Sequence, residues 1–139
     1  MKVYLLILSV FLAVYVSGSP QLESRYACEG RKLDIECNDG SVIRLIRANY
    51  GRFGITYCNK MGITNWNTNC MSTKSLRVVH NRCHMQQSCS LVASVDIFDD
   101  PCPDTGKYLE VHYQCVQAPT TTTTVSSAPP AWFMTVPTI

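Results

Sequence analysis

Two short segments place several polar side chains close together in the sequence. In the first, Asn49, Tyr50 and Arg52 surround Gly51, a residue that permits a sharp bend. The second runs from residue 100 to 109, where two prolines and a cysteine restrict the path of a loop. Its hydrogen-bond acceptors and donor are Asp100, Asp104 and Lys107. Such groups suit a polar ligand, whereas a tight turn with solvated charges is the alternative that the residues leave open.

Catalysis has little support in the sequence. Gly-x-Ser-x-Gly, His-Glu-x-x-His and phosphate-loop motifs do not occur. A glycosidase needs two carboxylates that face one bond, roughly 5–9 Å apart, and nothing in the sequence selects such a pair. His112 is expected on the solvated face of a strand. We therefore predict that the chain is not an enzyme. The carboxylates from which a pair would have to come are Asp34, Glu36, Asp96 and Glu110.

The eight cysteines predict disulfide bonds rather than a metal site. The nearest zinc-like cluster is His80, Cys83, His84 and Cys89, and its spacing matches no common zinc module. An even number of cysteines within a short extracellular chain predicts four disulfides, although spacing alone leaves 105 pairings open. We therefore expect no metal and no cofactor. Each disulfide would stabilise a small core by about 2–4 kcal/mol.

The first residues resemble a secretory signal peptide. Lys2 precedes a mainly apolar run from 3 to 16, and small residues follow at 17–19. Cleavage after Gly18 fits the small-residue positions best. The run is shorter than the roughly 20 residues that span a bilayer, although an uncleaved anchor is the alternative. We predict a secreted, extracellular protein with no membrane span after signal removal.

The remaining chain divides by composition into three parts. Residues 19–25 are a polar lead-in, residues 26–116 contain every cysteine, and residues 117–139 form a tail rich in Thr, Ser and Pro. The tail is typical of an extended O-glycosylated stalk or of an unmodified disordered terminus. The full chain has 12 basic and 10 acidic residues. A balance this close to neutral predicts no binding to nucleic acid.

Hydrophobic periodicity predicts a small set of strands and one helix. Asp39-Gly40 is expected to form a hairpin-type turn, and residues 59–70 a loop. A helix from Ser72 to Asn81 would place Leu76, Val79 and Cys83 on one face. The predicted strands are 32–37, 42–48, 89–95 and 109–115.

Several of these segments together resemble a known family. The sequence is similar to the galactose/rhamnose-binding lectin domain of sea-urchin egg lectin, fish-egg lectins and latrophilin-type receptors. The resemblance covers about residues 26–116 and includes all eight cysteines in order. The segments that carry it are Cys28-Glu29-Gly30, Ala48 to Arg52, Asp100 to Pro103 and Lys107 to Val111.

This resemblance implies a fold and a disulfide pairing. The fold would be α+β: a small disulfide-rich domain with an antiparallel β-sheet, one or two helices and long loops. The family pairs its cysteines first with third, second with eighth, fourth with seventh and fifth with sixth. The implied disulfides are Cys28–Cys58, Cys37–Cys115, Cys70–Cys102 and Cys83–Cys89.

The resemblance also implies a sugar site that needs no metal ion. In that site carboxylates would accept hydrogen bonds from neighbouring hydroxyls. Lys107 would donate and offset the charge, Asn49 would do both, and the ring of Tyr50 would cover the apolar side of the sugar. Packing of Tyr50 beneath the loop is the alternative. The implied sugar-binding residues are Glu29, Asn49, Tyr50, Asp100, Asp104, Thr105 and Lys107.

The sequence departs from the family in one place. The family usually has Gly-Thr-Tyr before its Lys-Tyr-Leu motif, whereas this chain has Asp104, Thr105 and Gly106. Asp104 adds a charge near the ligand, and Gly106 lacks the aromatic ring. The exact sugar is therefore left open.

We predict a secreted, metal-independent lectin whose partners are galactose- or rhamnose-like glycans, including those of extracellular glycoproteins. The alternative is an extracellular protein-binding adhesion module of the same fold. An open polar site at the predicted residues would favour sugar, and an exposed apolar patch elsewhere would favour a protein. A disulfide-rich inhibitor or toxin has only the cysteines in its favour.

Overall fold

The computed structural model describes residues 19–120. The expected signal peptide and nearly all of the expected tail lie outside these residues, so both remain predictions. Within the described residues, no helix is long and apolar enough to cross a membrane. The strands are β1 (Glu23–Cys28), β2 (Lys32–Glu36), β3 (Ser41–Arg52), β4 (Cys70–Met71), β5 (Ser88–Val92) and β6 (Tyr108–Gln117). The helices are α1 (Ser75–Cys83) and α2 (Val95–Phe98).

The strands form two antiparallel sheets. The larger has the order β1-β6-β3-β4, and the smaller pairs β2 with β5. The first and last strands are therefore neighbours, so residues from the two ends of the domain pair directly. This architecture, together with two helices and four disulfides, confirms the predicted α+β, disulfide-rich fold.

The core lies between one face of the larger sheet, the smaller sheet and the helices. It forms because alternate residues of the longer strands are apolar and point inward. In β6 these residues are Leu109, Val111 and Tyr113, and in β2 they are Leu33 and Ile35. Helix α1 adds Val79 and Cys83, and α2 adds Phe98, all of which are fully buried.

Strand β3 is longer than its periodicity predicts and contains an irregularity. Leu45 pairs with Tyr113 and Arg47 with His112, so Ile46 is an extra residue without a partner in the register. A bulge of this kind reverses the inside–outside alternation that follows it. Ile46 is consequently half exposed despite being apolar, whereas Ala48 and Tyr50 both point into the core.

The turn at residues 39–40 does not make the expected hairpin. Gly40 has the positive φ of a tight turn, 77°, and the backbone amide of Ser41 donates to the carbonyl of Asn38 at 3.0 Å. However, β2 pairs with β5 and β3 pairs with β6. The turn therefore passes the chain from one sheet to the other.

Helix α1 begins later than predicted, and of its predicted apolar face Val79 and Cys83 are buried but Leu76 is not. Its first residue is Ser75, and Leu76 is exposed. The hydroxyl of Ser75 accepts from the backbone amide of Tyr50 at 2.7 Å and donates to the carbonyl of Ser72 at 2.8 Å. A buried serine thus occupies the position that an apolar pattern assigns to leucine, because these two backbone groups need a partner.

Strand β1 overlaps the segment that the composition marks as a lead-in. It begins at Glu23 and pairs with β6 along its whole length. The phenol of Tyr113 donates to Glu23 at 2.9 Å. Glu23 and Arg25 lie opposite the core residues Tyr113 and Val111, so charged residues stand on the core side of β1. Hydrophobic alternation therefore does not reveal this strand.

The disulfides are Cys28–Cys58, Cys37–Cys115, Cys70–Cys102 and Cys83–Cys89. These are the same pairs that the resemblance implies. Two of them hold loops next to the predicted site. Cys28–Cys58 attaches the end of β1 to the loop after β3, and Cys70–Cys102 attaches β4 to the loop before β6. The other two hold the core.

Candidate functional site

The pairing of β1 with β6 brings Glu29 next to Lys107. Cys28 and Tyr108 form the last pair of the two strands. Just beyond this pair, the amide of Glu29 donates to the carbonyl of Lys107 at 3.0 Å. The amide of Lys107 in turn donates to a carboxylate oxygen of Glu29 at 3.1 Å. Two residues that are 78 positions apart in sequence are therefore held by backbone bonds as well as by charge.

The ammonium group of Lys107 lies among three oxygen atoms. Its Nζ atom is 3.5 Å from a carboxylate oxygen of Glu29 and 3.2 Å from one of Asp100. It also donates to the carbonyl of Thr105 at 2.9 Å. The lysine side chain is only 5% exposed, whereas those of Glu29 and Asp100 are 36% and 40% exposed. We call these three charged residues the carboxylate–lysine cluster.

The charges of the cluster do not balance. Two carboxylates share one ammonium group, which leaves a net charge near −1 and several oxygen lone pairs facing solvent. The buried ammonium group contacts both acids, and salt screens such partly buried pairs less than it screens exposed ones. The arrangement can accept hydrogen bonds from two or more neighbouring hydroxyls of a neutral ligand.

Tyr50 supports the cluster from below. Its ring is fully buried and stacks on Phe98, with the ring centroids 5.0 Å apart. Its hydroxyl donates to Glu29 at 2.9 Å. Burial raises the pKa of the Tyr50 phenol, and the neighbouring Glu29 carboxylate raises that pKa further. The Tyr50 ring therefore packs beneath the loop, and neither of its faces is open to a sugar.

Asp100 is positioned by the loop that follows α2. The helix ends at Phe98, and Asp99 then adopts a left-handed φ of 60°, which is costly for a residue other than glycine. A carboxylate oxygen of Asp100 accepts from the amide of Cys102 at 3.1 Å. The hydroxyl of Ser72 also donates to the carbonyl of Phe98. Beside Asp100 lies a concavity of about 220 Å³, between β4 and this loop.

Asn49 is not brought into the cluster. It pairs with Glu110 across the sheet and therefore lies on the face opposite Tyr50. The side chain is 1% exposed, and within residues 19–120 its two amide atoms have no hydrogen-bond partner. Its place in a sugar site remains a prediction.

Asp104 and Thr105 contribute differently from each other. Asp104 is exposed and has a left-handed φ of 63°. Thr105 is buried, and its hydroxyl accepts from the amide of Asn67 at 3.4 Å. Its carbonyl, rather than its side chain, contacts Lys107. Thr105 therefore links the loop before β6 to the loop after β3.

Arg52 holds the two loops together from inside. Its guanidinium is completely buried, donates to the carbonyl of Gly106, and donates at 2.7 Å to Gly54 and at 2.9 Å to Tyr57. It also lies 4.3 Å from the centroid of the Trp66 ring. Burial lowers the pKa of Arg52. The sequence suggests Arg52 as a ligand-binding side chain. In the structure its guanidinium instead binds backbone carbonyls of the two loops.

Trp66 is the residue that sequence analysis misses. A Cβ atom placed on Gly106 would lie 2.9 Å from two carbons of its indole ring. The ring therefore fills the space beside the position where the family usually has an aromatic residue. Trp66 lies 40 positions earlier in sequence, in a stretch without periodicity. The only sequence signal for Trp66 is Gly106, because a glycine there leaves room for a large neighbouring ring.

The other candidate groups are used elsewhere. Glu110 pairs with Arg47 at 3.0 Å and contacts His112. Cys83 and Cys89 are bonded to each other, so neither can be a thiolate ligand. In the part of the chain from 19 to 120, no group of three or more His, Cys, Asp or Glu side chains could hold a metal ion.

Fold and sequence together define the class of protein. Residues 35–115 match the family described as the D-galactoside/L-rhamnose binding SUEL lectin domain, and the chain belongs to that family. The predicted resemblance is thereby confirmed. The family is a carbohydrate-binding domain and not an enzyme, as the sequence predicts.

Individual relatives fall into two groups. The chain is 42% identical over 95 residues to the L-rhamnose-binding lectin ELEL-1 of Echinometra lucunter, covering 68% of this chain and 91% of that lectin. It is 55% identical over 117 residues to Latrophilin Cirl of Drosophila persimilis, covering 84% of this chain but 7% of that protein. Identity to Adhesion G protein-coupled receptor L1 of Mus musculus is 39% over 90 residues, covering 65% of this chain and 6% of the receptor. The chain thus spans less than a tenth of either receptor and most of the lectin.

Proposed function

We propose that this chain is a lectin that binds a galactose- or rhamnose-like sugar, without a metal ion, at the carboxylate–lysine cluster. The observation that carries the proposal is the pair of half-exposed carboxylates, Glu29 and Asp100, held by one buried ammonium group. Both sugars present neighbouring hydroxyls of fixed geometry. Carboxylates accept from such pairs with charge-assisted bonds, about twice as strong as neutral ones. The similarity to a protein named as an L-rhamnose-binding lectin supports the same ligand class.

The test is a titration of the oxidised protein with rhamnose, galactose and glucose in buffer that contains a chelator, followed by saturation-transfer NMR. We expect signals for rhamnose or galactose and none for glucose. Glu29→Gln should weaken binding by about tenfold or more, because a neutral amide replaces a charged acceptor. The matched control is Glu36→Gln, an exposed glutamate on β2, which should leave binding unchanged. Absence of binding by the folded protein, or equal effects of the two variants, would refute the proposal.

We also propose that the protein acts outside the cell. Four disulfides are stable in an oxidising compartment, and residues 1–18 have the composition of a secretory signal. Expression of the full chain in cultured cells should release a protein whose first residue is Ser19. Mass spectrometry of the medium measures this, and it also detects glycans on the threonine-rich tail. Retention in the cell with residues 1–18 intact would contradict the proposal.

An exposed aromatic patch favours a second candidate function, the binding of an extracellular protein. Tyr26 and Tyr57 stack in parallel with centroids 4.3 Å apart. The backbone amide of Phe53 donates to the hydroxyl of Tyr108, whose ring centroid lies 5.8 Å from that of Tyr57. The side chains of Tyr26, Phe53 and Tyr57 are all more than a third exposed. Rigid aromatic side chains are enriched at protein interfaces. The similarity to receptors, one of them named for adhesion, points the same way.

Cell binding before and after enzymatic removal of surface glycans separates the two functions. A lectin should lose binding to deglycosylated cells and in Glu29→Gln. A protein-binding module should keep binding to deglycosylated cells and lose it in Tyr57→Ser, which disrupts the stacked pair. Exposed Thr56→Ala is the neighbouring control.

A further inference from the structure

A second concave surface adjoins the carboxylate–lysine cluster. It has a volume of about 290 Å³, at the lower end of the range for small-molecule sites. We call it the Trp66 cleft. It is lined by Cys28, Arg31, Cys58, Lys60, Met61 and Trp66.

The cleft and the cluster are joined at two points by residues adjacent in the chain. Cys28 lines the cleft, and the next residue, Glu29, belongs to the cluster. On the other side, Trp66 packs against Gly106, which directly precedes Lys107. A ligand bound through Glu29 and extended by one unit in this direction would therefore enter the Trp66 cleft.

The cleft is built on a rigid frame. The Cys28–Cys58 disulfide forms part of its wall and attaches the loop after β3 to the end of β1. The buried guanidinium of Arg52 covers the indole of Trp66, and Gly106 contacts the edge of the same ring. Trp66 is only half-buried, so part of the ring remains available to a ligand. An indole held this way can pack against the C–H face of a sugar ring with little loss of side-chain entropy.

The charge of the cleft differs from that of the cluster. Its lining includes two cations, Arg31 and Lys60, and no carboxylate. Both are exposed, and neither forms an ion pair with another residue in the 19–120 range. The nearest acid in sequence, Glu29, is engaged by Lys107 and Tyr50. A ligand unit in the cleft would meet positive charge, whereas a unit at the cluster would meet negative charge.

We propose that the Trp66 cleft is a second saccharide subsite that takes an anionic sugar residue, carrying a carboxylate or a sulfate ester, linked to the neutral sugar at the carboxylate–lysine cluster. This rests on the proposed lectin function and extends it. Trp66 packs on the ring of the second residue, and Arg31 and Lys60 bind its anionic group.

Three matched disaccharides test the proposal by calorimetry at low ionic strength. The first is rhamnosyl-galacturonic acid, the second is the same compound with its carboxylate reduced to the alcohol, and the third carries a sulfate ester on that alcohol. Methyl rhamnoside measures the cluster alone. We expect the first or third disaccharide to bind about fivefold or more tightly than the second, the gain expected of an exposed ion pair at its upper range. The preference should shrink as salt is raised.

Substitutions in the cleft test whether it is the source of the preference for charged disaccharides. Arg31→Ala combined with Lys60→Ala should abolish the preference for the charged disaccharide and leave the affinity for methyl rhamnoside unchanged. The control is Arg77→Ala, an exposed arginine on α1 that should alter neither measurement. Binding of methyl rhamnoside with no preference among the disaccharides would overturn the subsite and leave the lectin function intact. Absence of binding by every compound would overturn the subsite, and if methyl galactoside also fails to bind, the lectin function is overturned as well.

Discussion

At the scale of single residues, the cluster depends on one buried cation. Lys107 is almost completely enclosed, and its two carboxylate partners are partly open to water. Sequence reasoning identifies all three residues, because each stands in a segment shared with a known family. The sequence does not reveal that the lysine is buried while the two carboxylates are partly exposed. The lysine holds the carboxylates from inside, and the carboxylates face solvent.

We expect Lys107→Met to reduce the free energy of unfolding by about 2–3 kcal/mol. Removing one partner of a buried pair leaves uncompensated charge, and hydration of the half-exposed acids keeps the loss below the value for full burial. Lys32→Met is the control, since its ion pair with Asp34 is exposed on both sides and contributes little to stability. Urea denaturation measures both. Similar losses in the two variants would show that Lys107 is not a structural cation.

Alkaline stability tests the buried phenols. Burial raises the pKa of Tyr50 and of Tyr113, and the carboxylates of Glu29 and Glu23 raise these values further. In the unfolded chain both phenols lose their protons near pH 10, whereas the folded protein retains them. The contribution to stability is therefore complete below about pH 10 and is lost as the pH rises through the folded-state values.

A series of denaturant midpoints at increasing pH above neutrality should show this decline. Tyr50→Phe should make the decline shallower, and Tyr57→Phe, which alters an exposed ring, should not. An unchanged slope in Tyr50→Phe would contradict the assignment.

At the scale of elements, the bulge in β3 determines which residues reach the site. Because Ile46 is an extra residue, Ala48 and Tyr50 point into the core while Asn49 points to the other face. A regular inward–outward alternation that starts at Val42 does not predict this reversal after Ile46. The family motif places Asn49 and Tyr50 together in sequence, but a strand must send neighbouring residues to opposite faces.

Gly51 marks the closest approach of β3 and β4. A Cβ atom at this position would lie 2.0 Å from the carbonyl oxygen of Cys70, and φ is +153°, a value that favours glycine. We expect Gly51→Ala to cost about 3 kcal/mol or more, because both the backbone conformation and the strand spacing must change. Gly54→Ala is the control, since nothing lies within 4 Å of its added carbon. Thermal unfolding compares the two, and equal melting temperatures would contradict the expectation.

At the scale of the whole molecule, long-range connections hold a small core. Cys37–Cys115 spans 78 residues and joins the two sheets, while Cys83–Cys89 spans 6. If disulfides act mainly by restricting the unfolded chain, the longer loop should contribute about 2 kcal/mol more than the shorter one.

Paired substitutions measure this difference. The free energy of unfolding should fall further in the double variant Cys37→Ala, Cys115→Ala than in Cys83→Ala, Cys89→Ala. The reverse order would mean that local packing around α1 outweighs loop entropy.

The sequence by itself determined the family, the number of disulfides, strands β2 and β6, and the charged residues of the cluster, because these follow from local composition, spacing and alternation. The pairing of β2 with β5, the burial of the Tyr50 ring, the separation of Asn49 and the contact of Trp66 with Gly106 were decided only by the tertiary structure. Periodicity shows which face of an element is apolar, but it does not show which distant element covers that face. In this protein the decisive contacts join residues that are 40 to 78 positions apart, and the energy that selects them comes from packing of the whole domain.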